Sequence, residues 1–214
     1  MGNLTDLLRN DHHSFDLAQL DEIKDGSPFE LFEKWMQHAI EAKCLEPNAA
    51  IIATVSSDNQ PSTRICYLKE LIDEQFVFYT NYSSHKGHDL TNNPKISMQF
   101  FWPSLQQQIR IEGTAEKVAA TTSDEYFQSR PWESKIGAWA SHQSEKLASR
   151  NELEQRIEKL AAQYPTDVPR PPHWGGYAIT PSKIEFWQGR PSRLHDRFVF
   201  EKNGSQWTIS RLNP

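Results

Sequence analysis

The stretch AAIIATVSSDNQPSTRICYLKELIDEQFVFYT, residues 49–80, decides the fold. AAIIATV (49–55) is apolar and β-branched, and SSDNQPS is a turn. STRICYLK (62–69) and FVFYT (76–80) read as two further strands with ELIDEQ between them. Short strands with tight connections point to an antiparallel arrangement rather than βαβ units. Downstream, KISMQFFW (95–102) and QQQIRIEGTAEKV (106–118) bring the run to five, which predicts an antiparallel barrel or sandwich.

Helices flank the strands. Ser27-Pro28-Phe29-Glu30 is a helix start: Ser27 caps, Pro28 suits the first helical position and Glu30 completes a capping box. Phe29, Phe32, Trp35, Met36, Ala39 and Ile40 then recur at helical spacing, a stripe whose commonest use is core packing. Residues 122–163 turn helical again, and Pro169, Pro171 and Pro172 form a stiff connector. Strand character returns at 176–187 and 197–210, with Asn203-Gly204 as a hairpin signal. The fold class expected is mainly β with flanking helices (α+β). Residues 1–26 are expected to be a flexible polar arm before a single domain over 27–214.

The 214 residues carry 23 Lys and Arg against 28 Asp and Glu, a net charge of -5. That balance argues against general nucleic-acid binding. The N-terminus MGNLTDLLRNDHHSF lacks the pattern of a secretory signal, the sixth residue fails the myristoylation motif, and no apolar run approaches membrane-spanning length. The two cysteines, Cys44 and Cys66, form no metal or disulfide framework. A cytoplasmic protein without membrane or metal partners is expected.

Against this acidic background, positive groups cluster. RLHDR (193–197) places three in five residues; if the neighbouring strand extends back through it, Arg193, His195 and Arg197 share one face while Leu194 and Asp196 face the other way. In STRICYLK, Arg64, Cys66 and Leu68 share one face, and Ile65, Tyr67 and Lys69 the other. Ser83, Ser84, His85 and Lys86 open a helix, where free N–H groups and a lysine suit a phosphate, although a serine there is usually only a cap. Tyr126, Arg130 and Ser134 fall at i, i+4 and i+8, a phosphate grip if they share a helix face, with Pro131 marking a break. Each cluster alone reads as solvated charge. Together, with Trp and Tyr nearby, they suggest phosphorylated aromatic ligands. No Walker loop, dinucleotide fingerprint, nucleophile elbow or H-E-x-x-H is present.

The motifs RICYLK (64–69), FYTNY (78–82), KG (86–87), QFFWP (99–103), QIRIEG (108–113), YFQSRP (126–131), IGAWAS with QS (136–144), WGGY (174–177), IEFWQG (184–189), RLHDR and the closing SRLNP occur in an order that resembles the pyridoxamine 5′-phosphate oxidases. The resemblance covers roughly residues 28 to 214. It implies an FMN-binding split β-barrel, a homodimer with FMN at the subunit interface, and a C-terminal dimerisation and substrate-site region over 172–214. It implies oxidation of pyridoxamine or pyridoxine 5′-phosphate to pyridoxal 5′-phosphate, with oxygen as acceptor and hydrogen peroxide as product. It assigns FMN to Arg64, Ile65, Cys66, Tyr67, Leu68 and Lys69, to Tyr79, Thr80, His85 and Lys86, and to Gln108, Gln143, Ser144, Trp187 and Arg197. It assigns substrate to Lys69, Tyr126, Arg130, Ser134, Arg193, Leu194 and His195, with Arg193 and His195 as the catalytic pair over the pyridine ring. The sequence departs from the family at His85, where an Arg is usual, and in the N-terminal arm, where only Arg9 matches a substrate-covering run. Two other readings stand beside this one: another flavin split-barrel oxidoreductase, and a non-catalytic FMN or pyridoxal phosphate binder.

Overall fold

The computed structural model describes residues 14–20, 22, 23 and 25–214. Most of the arm read over residues 1–26, and Arg9 within it, lies outside them. Helix α1 (Pro28–Glu41) is followed by β1 (Ala49–Val55), β2 (Pro61–Ile72), β3 (Gln75–Asn81), α2 (His85–Asn92), β4 (Lys95–Trp102) and β5 (Gln107–Lys117). Then come α3 (Ala120–Ser129), α4 (Trp132–Ala140), α5 (Arg150–Gln163), β6 (Trp174–Gln188), β7 (Asp196–Asn203) and β8 (Gln206–Arg211). The hydrogen-bonded strand order is β3-β2-β1-β4-β5-β6-β7-β8, and β3 also pairs with β6, so six strands close on themselves and β7–β8 extend the sheet. This is the split-barrel class the resemblance implies, and closure removes the edges of those six strands, leaving β8 at the end of the sheet.

Two compact units divide the chain. One holds Asn48–Met98 and Ile111–Ser182. Here β1 and β2 pair from Ala49↔Tyr67 to Val55↔Pro61. The β2–β3 connection is tighter than expected: Glu70, Leu71 and Ile72 continue the strand, and the turn is only Asp73-Glu74, with φ of 48° and 63°. Two successive positive φ values are the backbone of a type I′ turn, whose twist matches the strands it joins. Between Leu68↔Phe78 and Glu70↔Val77 the register shifts, leaving Lys69 as the extra residue of a bulge. Bulges of this kind re-aim a side chain and are over-represented beside active sites. A hydrophobic cluster of Phe127, Ile136, Val168 and Trp174 buries the inner faces of α3, α4 and the start of β6.

The other unit holds the described residues up to Pro47 together with Gln99–Arg110 and Lys183–Pro214. The predicted stripe of α1 packs there: Phe32 against Phe100, Trp35 against Phe186 and Phe29 against Trp207, all edge to face. Ser27 caps α1 by accepting the Phe29 N–H. Ile40 at the end of the stripe is exposed instead. β7 and β8 pair through Asn203↔Gln206 around Gly204, whose φ is +62°.

The RLHDR segment differs from its prediction. β7 begins only at Asp196, and Pro191–Arg193 form a 3-10 turn in which Ser192 and Arg193 have φ of 57° and 62°. Two left-handed residues cannot continue a strand. Arg193, His195 and Arg197 therefore do not lie in a row on one strand face.

Candidate functional site

A cavity of about 970 Å³ opens in the first unit. That is the upper end of the range usual for small-molecule sites. β2 supplies Arg64, Ile65, Cys66, Tyr67 and Lys69; β3 supplies Tyr79 and Thr80; α2 supplies His85 and Lys86. The α3–α4 junction supplies Tyr126, Arg130 and Ser134, and the following loop Gln143 and Ser144. Fourteen of the residues singled out in the sequence thus line one space. Arg64, Lys69, His85, Lys86 and Arg130 line it, and among the described residues no Asp or Glu does. A pocket lined by one sign of charge, in a chain of net charge -5, selects anions.

Two groups of cations have different neighbours. Lys86 is buried, 6% exposed, and its Nζ donates to Gln143 Oε1 at 2.7 Å, Thr80 Oγ1 at 2.9 Å and Ser84 Oγ at 3.1 Å. All three partners are neutral. Burial pulls the Lys86 ammonium below the usual lysine range, and Arg64 adds to the effect while Cys66 opposes it. Arg64 donates from Nη1 to Thr54 Oγ1 at 2.7 Å and from Nη2 to Ser62 Oγ at 2.9 Å. Burial pushes the Cys66 thiol between them upward. Ser84 caps α2 by accepting the Gly87 N–H, as its position before the helix predicts. A Cβ on Gly87 would sit 2.0 Å from the Tyr82 carbonyl oxygen, so only glycine lets this first turn settle against the end of β3.

The second group centres on Arg130. The helix expected through Tyr126, Arg130 and Ser134 is two helices: α3 ends at Ser129 and Arg130 is extended, with φ -75° and ψ 150°, before Pro131. The break still delivers all three side chains to the pocket. The Arg130 guanidinium stacks 4.6 Å from the Trp174 ring centre. Its Nη1 is buried without a hydrogen-bond partner. Burial lowers the affinity of this guanidinium for its proton, and Tyr126 partly offsets the effect. Tyr126 stacks on Tyr79 at 3.9 Å, and the Tyr79 hydroxyl donates to Glu70 Oε2 at 2.9 Å. Burial and that carboxylate raise the Tyr79 phenol well above the usual range.

The remaining predicted residues lie elsewhere. Leu68 faces the core. Gln108, Trp187, Arg193, Leu194, His195 and Arg197 belong to the other unit. There the buried Glu185 accepts from Arg197 Nε at 2.8 Å and Arg110 Nη1 at 3.3 Å. Trp187 is paired opposite Arg197, and its ring lies 4.6 Å from that of His195. The Arg190 N–H donates to His195 Nδ1 at 3.1 Å, so the neutral ring carries its proton on Nε2. Burial, then Arg193 and Arg197, lower the His195 pKa. Gln108 Oε1 accepts from Gln99 at 3.0 Å, and Leu194 is exposed. Asp196 binds Arg211 at 2.8 Å and accepts the Leu20 N–H at 3.2 Å.

Sequence reasoning missed Trp174, the platform under Arg130, and Asn81, whose amide donates to the Ser141 carbonyl at 3.3 Å. Trp174 stands in the WGGY motif, which was its only signal.

Two family models match the chain in succession: pyridoxamine 5′-phosphate oxidase over residues 36–164, and the pyridoxine 5′-phosphate oxidase C-terminal dimerisation region over residues 174–214. The chain belongs to the pyridoxamine 5′-phosphate oxidase family. Among curated relatives, the pyridoxine/pyridoxamine 5′-phosphate oxidase of Bordetella pertussis is 53% identical over 91% of this chain and 93% of its own. That of a Cyanothece strain is 48% identical over 97% of each. Among solved structures, PhzG from Burkholderia lata, in complex with tetrahydrophenazine-1-carboxylic acid, superposes with a TM-score of 0.86 at 30% identity. It covers 92% of this chain and 100% of its own. A pyridoxamine 5′-phosphate oxidase-related, FMN-binding protein from Nostoc punctiforme shares the fold, with a TM-score of 0.72 at 15% identity over 89% and 99% of the two chains. Membership of the oxidase family makes this chain an oxidoreductase enzyme, and its C-terminal part a dimerisation region.

Proposed function

We propose that the enzyme oxidises pyridoxamine 5′-phosphate and pyridoxine 5′-phosphate to pyridoxal 5′-phosphate in the cytoplasm, with FMN as cofactor and oxygen as acceptor. The observation that carries this reading is the carboxylate-free pocket with the unpartnered Arg130 Nη1 buried beside it. A buried donor without a partner costs roughly 1–3 kcal/mol, and a phosphate oxygen would relieve it. The fit to FMN rests on the same pocket. Lys86, whose three hydrogen-bond partners above are neutral, and Arg64 form a cationic end, with His85 beside them, suited to the cofactor's phosphate.

Bound FMN would supply the hydride acceptor for oxidation at the substrate's 4′ carbon, and oxygen as final acceptor would leave hydrogen peroxide as the second product. The chain's own residues bind and orient. Lys69, Tyr126, Arg130 and Ser134 hold the substrate phosphate, Arg130 being kept in place by the Trp174 ring. Ile65, Tyr67, Thr80, Gln143 and Ser144 line the cofactor's part of the cavity. With FMN at the homodimer interface, Gln108, Trp187 and Arg197 complete its site. Arg193 and His195 cover the pyridine ring, and His195 donates from Nε2.

A second reading, another flavin split-barrel oxidoreductase, draws on the likeness to PhzG. The higher identity to the curated pyridoxine/pyridoxamine 5′-phosphate oxidases favours the first. Arg130→Ala separates the two. Losing a charge-assisted contact costs roughly 1.5–3 kcal/mol, or about 10- to 100-fold. The variant should keep its FMN and lose that factor in kcat/KM for pyridoxamine 5′-phosphate. Unchanged kcat/KM would remove Arg130 from the substrate phosphate and with it the preferred reading.

A further inference from the structure

Behind the cationic end of the pocket lies a carboxylate that lines no part of it. Asp89, on α2, has a side chain 4% exposed. The Thr54 hydroxyl, fully buried on β1, donates to Asp89 Oδ2 at 2.6 Å and accepts from Arg64 Nη1 at 2.7 Å. One hydroxyl has one proton, so the relay has a fixed direction: Arg64 gives to Thr54, and Thr54 gives to Asp89. Arg64 Nη2 lies 3.9 Å from the same Asp89 oxygen, and His85 Nε2 lies 3.6 Å from the other. The two oxygens thus face two pocket residues, Arg64 and His85.

We propose that Asp89 is a positioning residue, fixing Arg64 through Thr54, and His85 directly, in the orientation that receives the FMN phosphate. This rests on the assignment of FMN to the pocket. Electrostatics alone gives the opposite sign. A carboxylate beside an anion site repels the ligand, so its removal should strengthen phosphate binding. Positioning predicts weakening. In Asp89→Asn one acceptor oxygen becomes a donor, which faces either the Thr54 and Arg64 donors or His85. The charge added to the pocket is then outweighed by the misplacement of whichever of Arg64 and His85 the amide faces.

Apo-protein titrated with FMN and, separately, with riboflavin decides between the two, because riboflavin has the ring but no phosphate. For Asp89→Asn the expected result is a loss of about ten-fold in FMN affinity, the scale on which orienting partners act, with riboflavin affinity unchanged. Thr54→Val, which alters no charge, should lower the FMN-to-riboflavin preference likewise, and Thr54→Ser should restore it. FMN affinity equal to or above wild type in Asp89→Asn would overturn the proposal. Should Asp89→Asn fail to fold, Thr54→Val decides alone, and an unchanged preference overturns it. Wild-type protein that binds neither flavin is a different outcome, which refutes the FMN assignment itself.

Discussion

Single residues carry the site's chemistry because each is held by a neighbour of another element. His85 stands where the family usually has Arg. An arginine always carries its charge and can donate two parallel bonds. His85→Arg should therefore tighten FMN binding and leave riboflavin binding unchanged. Titration of both apo-proteins with each flavin tests this, and equal FMN affinities would remove His85 from the phosphate. His195 makes a pH prediction. Its pKa is lowered from 6.5, by burial first and then by Arg193 and Arg197. The unfolded chain then takes up this proton before the folded one as pH falls. The contribution of neutral His195 to stability is whole above about pH 6.5 and is lost below it. An imidazole NMR titration should place the midpoint below 6.5; a midpoint at or above it would contradict the packing beside the two arginines.

Elements decide where those residues stand, and they also mark how far the sequence could be read. The strands of residues 49–118 were legible because β-branched runs and turn residues alternate. So was the helix break at Arg130, because Pro131 excludes helical geometry from the residue before it. The end of β2 was not: its turn is Asp73-Glu74, which carries neither Gly nor Asn to announce positive φ. RLHDR was misread for a related reason, since Ser192 and Arg193 adopt left-handed backbone that their side chains do not signal. Arg64, Lys69 and Arg130 could be picked out by charge and motif. Asp89 and Thr54 could not, because their part in the site comes from a contact between α2 and β1 that no local pattern encodes. Gly87 is the element-scale test. A methyl group there meets the Tyr82 carbonyl, and forced overpacking costs about 1–3 kcal/mol. Gly87→Ala should lower the melting temperature and, by displacing α2, weaken FMN binding through Lys86. Wild-type melting and flavin affinity would show that α2 can shift without consequence.

At the scale of the whole molecule, an acidic chain lines one cavity with positive groups and carries partly exposed apolar side chains on β1 and β2. Ile51 and Ile65 are directly paired on β1 and β2, yet are 41% and 67% exposed, and Tyr67 beside them is 43% exposed. Ile65 and Tyr67 also line the cavity. The central claim is that this cavity, loaded with FMN, oxidises a phosphorylated pyridine. Its most direct test is oxygen uptake by the purified, FMN-loaded protein supplied with pyridoxamine 5′-phosphate under air. The account predicts steady uptake matched one for one by pyridoxal 5′-phosphate and hydrogen peroxide, and far slower uptake with unphosphorylated pyridoxamine. Bound flavin that stays oxidised under pyridoxamine 5′-phosphate, with no oxygen consumed, would contradict it.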